Sequence, residues 1–164
     1  MPTTRRQIIA SALASAALVL PALPRRTDAA TGNFEVTRTE AEWRAMLTDL
    51  QYAVMREEET ERAFTSPLHD LKDAGMYHCR GCDLPLYSSK HKFDSGTGWP
   101  SYWQPIRDDV VDTKTDFKLI YPRSECHCAV CGLHMGHVFK DGPPPTGQRW
   151  CINGVVLNFR PIES

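Results

Sequence analysis

Cys79-Arg-Gly-Cys82 and Cys128-Ala-Val-Cys131 are the two stretches that decide the fold of this chain. In each stretch two residues separate the cysteines, and a glycine lies at the turn, Gly81 or Gly132. This spacing closes a tight knuckle on a metal ion. Four thiolates suit the tetrahedral coordination of zinc, and a four-cysteine site leaves no open position for water. We therefore predict one structural zinc ion bound by Cys79, Cys82, Cys128 and Cys131.

Two other assignments of these cysteines stay open at the level of sequence. Both pairs could form disulfides, as in many exported proteins, or one pair could be a redox-active C-x-x-C site. Two equivalent pairs argue against a single redox site. Cys126 and His127 offer alternative ligands, but only Cys128 has the two-residue spacing to Cys131. Cys126 is therefore expected to be a spare thiol.

The rest of the chain predicts a mainly β fold with helices only near its start. Thr39-Glu-Ala-Glu42 and Thr48-Asp-Leu-Gln51 both match a capping box, so this segment forms either one bent helix or two short ones. Beyond Phe64, prolines and glycines divide the chain into short runs rich in aromatic and β-branched residues, which is typical of antiparallel strands. The strand-like runs cover residues 76–79, 84–88, 117–121, 137–139 and 150–159.

Residues 1–29 are predicted to be a twin-arginine-type signal peptide. Arg5 and Arg6 precede an apolar run over residues 8–23, the order expected of such a signal. Pro21 interrupts the run, which is shorter than the roughly 20 residues of a spanning helix, so we expect no stable membrane anchor. Residues 30–164 would then form the mature domain, exported through the twin-arginine route to the periplasm.

The composition is that of a globular domain, with 41% hydrophobic and 24% charged residues. The length fits one domain, which we expect to be a monomer. The formal net charge of −1 provides no basic field to hold nucleic acid or an anionic membrane surface. We therefore predict that no nucleic acid is bound.

Cys151 stands apart from the paired cysteines, in the stretch Gly147-Gln-Arg-Trp-Cys-Ile-Asn153. Arg149 lies two positions before it, and a neighbouring cation favours the thiolate that makes cysteine a nucleophile. A single cysteine in an apolar strand is also commonly a small buried core residue. The local sequence therefore leaves a catalytic and a structural role open for Cys151.

Several motifs follow one another between about residue 48 and the C-terminus. They are Cys79-x-x-Cys82, Phe93-Asp-Ser-Gly-Thr-Gly-Trp99-Pro-Ser101, Cys128-x-x-Cys131-Gly-Leu-His134-Met-Gly-His137-Val-Phe139, Asp141-Gly-Pro and Gly147-Gln-Arg-Trp-Cys151-Ile-Asn153. Together they resemble the peptide-methionine (R)-S-oxide reductases, the B-type enzymes. The resemblance implies two small antiparallel sheets around a core, short N-terminal helices and a structural zinc distant from the active site.

The same resemblance assigns roles to individual residues. Cys151 matches the family nucleophile, with His137, His134 and Asn153 as further catalytic residues and Trp99 as a substrate-binding residue. Sulfoxide reduction needs a thiolate that attacks sulfur and a proton for the departing oxygen, which an imidazole can supply near neutral pH. Trp99 offers an aromatic face to the S-methyl group of the substrate.

The two histidines are three positions apart. They would share a face in a turn or a helix, but they would point to opposite faces of a strictly alternating strand.

The predicted activity is thiol-dependent reduction of methionine-R-sulfoxide, protein-bound or free, through a sulfenic acid on Cys151, with oxidised exported proteins as the repaired substrates. Many members of the family have a cysteine where this chain has Thr97, and that cysteine resolves the sulfenic acid. We therefore expect a thioredoxin-like partner or another external thiol to reduce Cys151 directly. The competing interpretations are a non-enzymatic zinc-binding module and a disulfide-stapled exported domain without catalysis.

Overall fold

The computed structural model describes residues 33–117 and 121–162, so the predicted signal peptide at residues 1–29 lies outside the described residues. No helix in the described ranges is long and apolar enough to cross a membrane. Two α-helices come first and the strands follow them, which confirms the prediction of a mainly β fold with short N-terminal helices.

The helices are α1 (Glu40–Met46) and α2 (Asp49–Glu57). Thr39 precedes α1 and Thr48 precedes α2, and each forms a complete capping box with the third residue of its helix. Such boxes satisfy backbone amide groups that have no partner within the first turn. A second complete box directly after Leu47 starts a new helix, so the segment forms two helices rather than one bent helix.

The strands form two antiparallel sheets within the described part of the chain. They are β1 (Gly75–Cys79), β2 (Pro85–Ser88), β3 (Lys92–Phe93), β4 (Ser101–Tyr102), β5 (Val111–Asp116), β6 (Arg123–Cys128), β7 (His134–Phe139), β8 (Arg149–Ile152) and β9 (Leu157–Pro161). The smaller sheet has the order β2-β1-β9, and the larger sheet has the order β3-β4-β8-β7-β6-β5. The predicted pair of small antiparallel sheets is thereby confirmed.

Two of the predicted strands differ from the structure. In the run at 117–121, neither Phe117 nor Tyr121 belongs to a strand, because β5 stops at Asp116. Residues 118–120 lie outside the described residues. The run at 150–159 is divided by a short 3-10 turn, Gly154–Val156, so that β8 and β9 enter different sheets. The turn begins directly after Asn153, two residues beyond Cys151.

The core lies between the two sheets and is rich in aromatic rings. Tyr87 of β2 stacks on Tyr102 of β4 with ring centroids 4.3 Å apart, and Tyr77 of β1 meets the same ring edge-on at 5.2 Å. All three side chains are fully buried. Aromatic pairs of this kind add about 0.5–1.5 kcal/mol each beyond the burial of their area, so they fix the smaller sheet against the larger one.

Candidate active site

Four cysteine sulfur atoms converge on one point, where β1 of the smaller sheet and β6 of the larger sheet end. The Sγ atoms of Cys79, Cys82, Cys128 and Cys131 all lie within 4.8 Å of one another. The shortest contacts join one pair to the other, at 3.6 Å for Cys79 with Cys131 and 3.5 Å for Cys82 with Cys128. Tetrahedral zinc with Zn–S bonds of about 2.3 Å requires sulfur atoms roughly 3.8 Å apart. The cluster could therefore hold one metal ion, and its thiol donors fit the predicted structural zinc.

The two knuckles have the same backbone geometry. The carbonyl of Cys79 accepts a hydrogen bond from the amide of Asp83, and that of Cys128 from the amide of Gly132, both at 2.8 Å. Asp83 and Gly132 have φ values of 65° and 67°, in the left-handed region that favours glycine. The turn residue is thus the one after the second cysteine in both knuckles, and Gly81 does not take that position.

Cys126 lies outside this cluster, as expected of a spare thiol. It is on β6, fully buried, and burial raises the pKa of its thiol well above the ordinary value. His127 is also outside the cluster, with Nδ1 3.5 Å from a carboxylate oxygen of Glu125. Neither residue replaces Cys128 as a metal ligand in the structure.

A pocket of about 210 Å³ opens beside Cys151. Its lining residues are Thr60, Trp99, Arg123, Gly136, His137, Phe139, Cys151 and Asn153. Four residues predicted for the active site therefore meet at one cavity, although they come from three separate segments of the chain. The fifth, His134, does not line it.

Cys151 is half-buried near the middle of the larger sheet. It pairs with Ser101 on β4 and with His137 on β7. Its Sγ is 3.9 Å from Oγ1 of Thr97. Burial raises the pKa of the Cys151 thiol, and the hydrogen bond from Thr97 and the charge of Arg149 oppose that shift. The thiol is therefore protonated in the resting protein, with two groups placed to stabilise the thiolate.

Arg149 is held in place on the strand that carries Cys151. Its guanidinium donates two hydrogen bonds of 2.9 Å to the carboxylate of Asp141 and lies 4.2 Å from the centroid of the Phe139 ring. Residues two apart on a strand share a face, so the cation lies on the side of the sheet where the Cys151 thiol projects. The ion pair with Asp141 partly offsets the positive charge that Cys151 experiences.

His137 is anchored by a carboxylate that the sequence analysis did not identify. Its Nε2 is 2.8 Å from Oδ2 of Asp116, and Arg123 donates a hydrogen bond of 2.7 Å to the same oxygen. Burial lowers the pKa of His137, and the hydrogen bond with Asp116 opposes that effect. The imidazole is therefore mostly neutral at pH 7, beside an acceptor that stabilises the protonated form.

A β-bulge places both histidines on the same side of β7. Cys126 pairs with Gly136, but the next residue of β6, His127, pairs with His134, so β7 contains one extra residue at this point. An extra residue inverts the alternation of side chains along the strand. The rings of His134 and His137 consequently approach edge-on, with centroids 5.6 Å apart.

His134 lies behind His137 rather than in the pocket. Its side chain is 3% exposed, and its Nδ1 is 2.6 Å from a carboxylate oxygen of Glu125. Its ring packs edge-on against that of His137, and its Nε2 is buried without a hydrogen-bond partner among the described residues. The catalytic role of His134 stays a prediction.

Trp99 and Asn153 line the pocket, and both are tied to the loop after α2. The indole Nε1 of Trp99 donates to the carbonyl of Glu61 at 3.1 Å. The side-chain oxygen of Asn153 accepts from the amide of Glu61 at 3.0 Å, and its nitrogen donates to the carbonyl of Met135, also at 3.0 Å. These bonds fix both side chains before any substrate binds.

Gly136 of β7 allows β8, the strand that carries Cys151, to approach closely. A Cβ atom at Gly136 would overlap the backbone carbonyl oxygen of Cys151. A larger residue would therefore displace the strand that carries the thiol. Gly136 belongs to the motif at residues 128–139, but the need for a glycine there follows only from the pairing of β7 with β8.

Comparison with known proteins identifies the family. The SelR domain matches residues 47–161, most of the chain and all of the site. The chain therefore belongs to this family, the MsrB-type peptide methionine sulfoxide reductases. This assignment favours the interpretation as an enzyme over that as a non-enzymatic zinc-binding module.

Two bacterial relatives support this assignment across nearly their whole length. Peptide methionine sulfoxide reductase MsrB of Methylibium petroleiphilum is 51% identical over 127 residues, which cover 77% of this chain and 92% of that protein. MsrB of Pseudomonas putida is 52% identical over 129 residues, covering 79% and 97%. The chloroplastic peptide methionine sulfoxide reductase B1 of rice is 53% identical over 132 residues, covering 80% of this chain and 61% of the rice protein.

Proposed function

We propose that this protein reduces methionine sulfoxide of R configuration, through attack of the Cys151 thiolate on the sulfoxide sulfur. The observation that carries the proposal is the meeting of Cys151, His137, Trp99 and Asn153 at one pocket. A soft sulfur nucleophile, an imidazole and an aromatic face are the groups that the reaction needs.

The first step transfers oxygen from the substrate to the enzyme. The Cys151 thiolate attacks the sulfoxide sulfur, the sulfur–oxygen bond of the substrate breaks, and the oxygen ends on Cys151 as a sulfenic acid. The substrate sulfur gains two electrons and Cys151 loses two. One proton is required at the departing oxygen, and His137 is the group in the pocket that supplies it, with Asp116 stabilising the imidazolium before transfer.

Such a pocket would distinguish the two epimers of the substrate. With the S-methyl group on the Trp99 ring and the oxygen toward His137, one epimer would present its sulfur to Cys151, and the resemblance to the B-type enzymes makes this the R epimer. The opposite epimer would direct its oxygen away from the imidazole. Free and peptide-bound methionine sulfoxide share the group that this arrangement recognises, and we propose the protein-bound form as the physiological substrate.

Regeneration uses an external thiol. The hydroxyl of Thr97 lies 3.9 Å from the Cys151 sulfur, and a threonine hydroxyl forms no disulfide. Two thiols from a thioredoxin-like protein or a small reductant would convert the sulfenic acid to the thiol, with release of water and formation of one disulfide in the reductant. The protein would thus be a one-cysteine reductase.

The site of action that we propose is the periplasm. Arg5 and Arg6 followed by the apolar run at 8–23 support export through the twin-arginine route, in which the domain would cross the inner membrane folded and metal-loaded. Replacing both arginines with lysine should leave the protein in the cytoplasmic fraction. Undiminished periplasmic yield of that variant would contradict export by this route.

A single-turnover experiment tests the proposed chemistry. Enzyme mixed with excess sulfoxide and no reductant should form one methionine per enzyme, and dimedone should label Cys151 in the oxidised protein. Methionine formed without oxidation of Cys151 would contradict the proposed nucleophile.

A further inference from the structure

Glu61 is a buried acidic residue that touches three parts of the active site without lining its pocket. Its side chain is 2% exposed, and it follows Thr60, which does line the pocket. Glu61 belongs to the loop between α2 and β1, so its contacts with the catalytic segments are remote in sequence. It lines a second cavity together with Gly154 and Val155 of the turn at 154–156.

The backbone of Glu61 holds two pocket residues at once. Its amide donates to the side-chain oxygen of Asn153, 92 positions away, at 3.0 Å. Its carbonyl accepts from the indole of Trp99, 38 positions away, at 3.1 Å. One peptide segment thereby sets the separation between the aromatic face and the asparagine.

The carboxylate of Glu61 binds the backbone just beyond the nucleophile. One oxygen accepts from the amide of Gly154, and the other accepts from the amide of Val155 at 3.1 Å. These amides belong to the turn that starts three residues after Cys151. Burial raises the pKa of Glu61, and the two amide hydrogen bonds oppose that rise.

Within the described part of the chain, Glu61 binds the amides of Gly154 and Val155, while Arg80 donates from Nε to the carbonyl of Val155 at 2.6 Å. A Cβ atom at Gly154 would overlap the side chain of Ser66, so the turn is already packed closely on this loop. A glutamine at position 61 would present one amino group, a donor, where the carboxylate offers two acceptors. An aspartate is one methylene shorter and would not reach both amides from the same backbone position.

We propose that Glu61 is a positioning residue of the reductase, holding Trp99, Asn153 and the turn after Cys151 in their relative places through four hydrogen bonds. The inference rests on the proposed function, since it concerns how the substrate sulfur is presented to the thiolate. Displacements of about 1 Å at such sites can reduce rates on the order of 100-fold.

The test compares Glu61→Gln and Glu61→Asp with Glu59→Gln, a change at an exposed glutamate of the same loop. In the Glu61 variants we expect KM for the R-sulfoxide to rise, and the single-turnover rate to fall, by on the order of tenfold or more. The alkylation rate of Cys151 should change less than about twofold, because Thr97 and Arg149 keep their places. In NMR spectra of protein with nitrogen-15-labelled tryptophan, the indole signal of Trp99 should shift and that of Trp43 should not.

Each outcome decides the proposal. Glu61 variants that are less stable but have wild-type kinetics and an unmoved Trp99 signal would give the residue a purely structural role. If both variants fail to fold where Glu59→Gln folds, Glu61 is a folding residue and the proposal is equally overturned. Absence of sulfoxide turnover in the wild-type protein would instead contradict the proposed function itself.

Discussion

Cys126 on β6 and Cys151 on β8 are separated by β7 and project from opposite faces of the larger sheet. Cys126 pairs with Gly136, which in turn pairs with Ile152. Cys151 pairs instead with His137. Paired residues share a face and consecutive residues alternate, so Cys126 shares the buried face of Ile152. Two strand spacings place the cysteine Cα atoms roughly 10 Å apart, beyond the roughly 7 Å that a disulfide allows.

Oxidation by substrate should therefore leave Cys126 as a free thiol. After one equivalent of R-sulfoxide, mass-spectrometric mapping should find Cys151 as the modified residue. Cys126→Ser should retain both single-turnover reduction and turnover with an external thiol. A Cys126–Cys151 disulfide, together with loss of multiple turnover in Cys126→Ser, would identify Cys126 as the resolving residue and contradict this account.

Thr97→Cys should convert the enzyme to a two-cysteine mechanism. The present hydroxyl is 3.9 Å from the Cys151 sulfur, so a thiol at position 97 is close enough to attack the sulfenic acid. The oxidised variant should contain a disulfide between positions 97 and 151 and should not react with dimedone. Thr97→Ser is the matched control and should still be labelled; labelling of both variants to the same extent would refute the proximity argument.

Loss of one zinc ligand should unfold the domain. Structural zinc can contribute on the order of 10 kcal/mol to folding, comparable with the entire stability of a small domain. Cys128→Ser should therefore abolish zinc binding and the cooperative thermal transition. Cys126→Ser changes the same strand outside the cluster and should keep about one zinc per chain by elemental analysis. A zinc-free Cys128→Ser protein that melts cooperatively and is fully active would contradict a structural metal.

The pH dependence of kcat/KM should have a plateau bounded by His137 and Cys151. Burial lowers the pKa of His137 and raises the pKa of Cys151, so the imidazole and the thiol are both neutral between the two values. The reactive form has a Cys151 thiolate and a His137 imidazolium, and on the plateau it is a small, constant fraction of the enzyme. This fraction decreases at pH values below the His137 pKa and at pH values above the Cys151 pKa. His137→Gln should lower the rate by roughly 10²–10⁴ and replace the plateau with a steady rise toward the Cys151 pKa. An unchanged profile in that variant would exclude His137 as the proton donor.

Glu125 should stabilise the protein at neutral pH, and this contribution should be lost in acid. Burial favours its neutral form, but the proximity of His127, the hydrogen bond with His134 and the charge of Lys114 outweigh that effect and hold the pKa of Glu125 at about 2. A carboxylate with a lowered pKa stabilises the fold above its unfolded pKa of roughly 4.3, and that stability is lost as the pH falls toward 2. The contribution at neutral pH is about 3 kcal/mol.

Denaturant unfolding at pH 7, 4 and 3 checks the role of Glu125. Glu125→Gln should be less stable than wild type at pH 7, and the difference should shrink as the pH falls. Glu35→Gln, at an exposed position, should follow the wild-type profile. Parallel profiles of wild type and Glu125→Gln would show that the carboxylate charge does not stabilise the fold.

Local chemistry made the zinc cluster and the helix starts predictable from the sequence. The spacing of Cys128 and Cys131 determines a knuckle without reference to the rest of the fold, and a threonine followed three residues later by glutamate or glutamine satisfies a helix start by itself. The prediction of Cys151 as the nucleophile required the resemblance, because its own segment fits a core strand equally well.

Features that depend on distant pairing were not predictable. Strand β5 reads Val-Asp-Thr-Lys-Thr-Asp and is largely polar, so it is defined by its partner β6 rather than by its composition. Asp116, at its end, becomes a site residue only through the contact with His137. The bulge that brings His134 beside His137 exists only in the register of β6 with β7. Glu61 lies in the charged run at residues 56–62, and such runs are most often solvated, so its burial follows only from its contacts in the fold.

Turnover of the separated R and S epimers of a methionine sulfoxide peptide, by wild type and by Cys151→Ser, tests the central claim most directly. With an external dithiol, wild type should reduce the R epimer and leave the S epimer unchanged, while Cys151→Ser should reduce neither. Equal rates on both epimers, or R-epimer turnover retained in Cys151→Ser, would contradict the account.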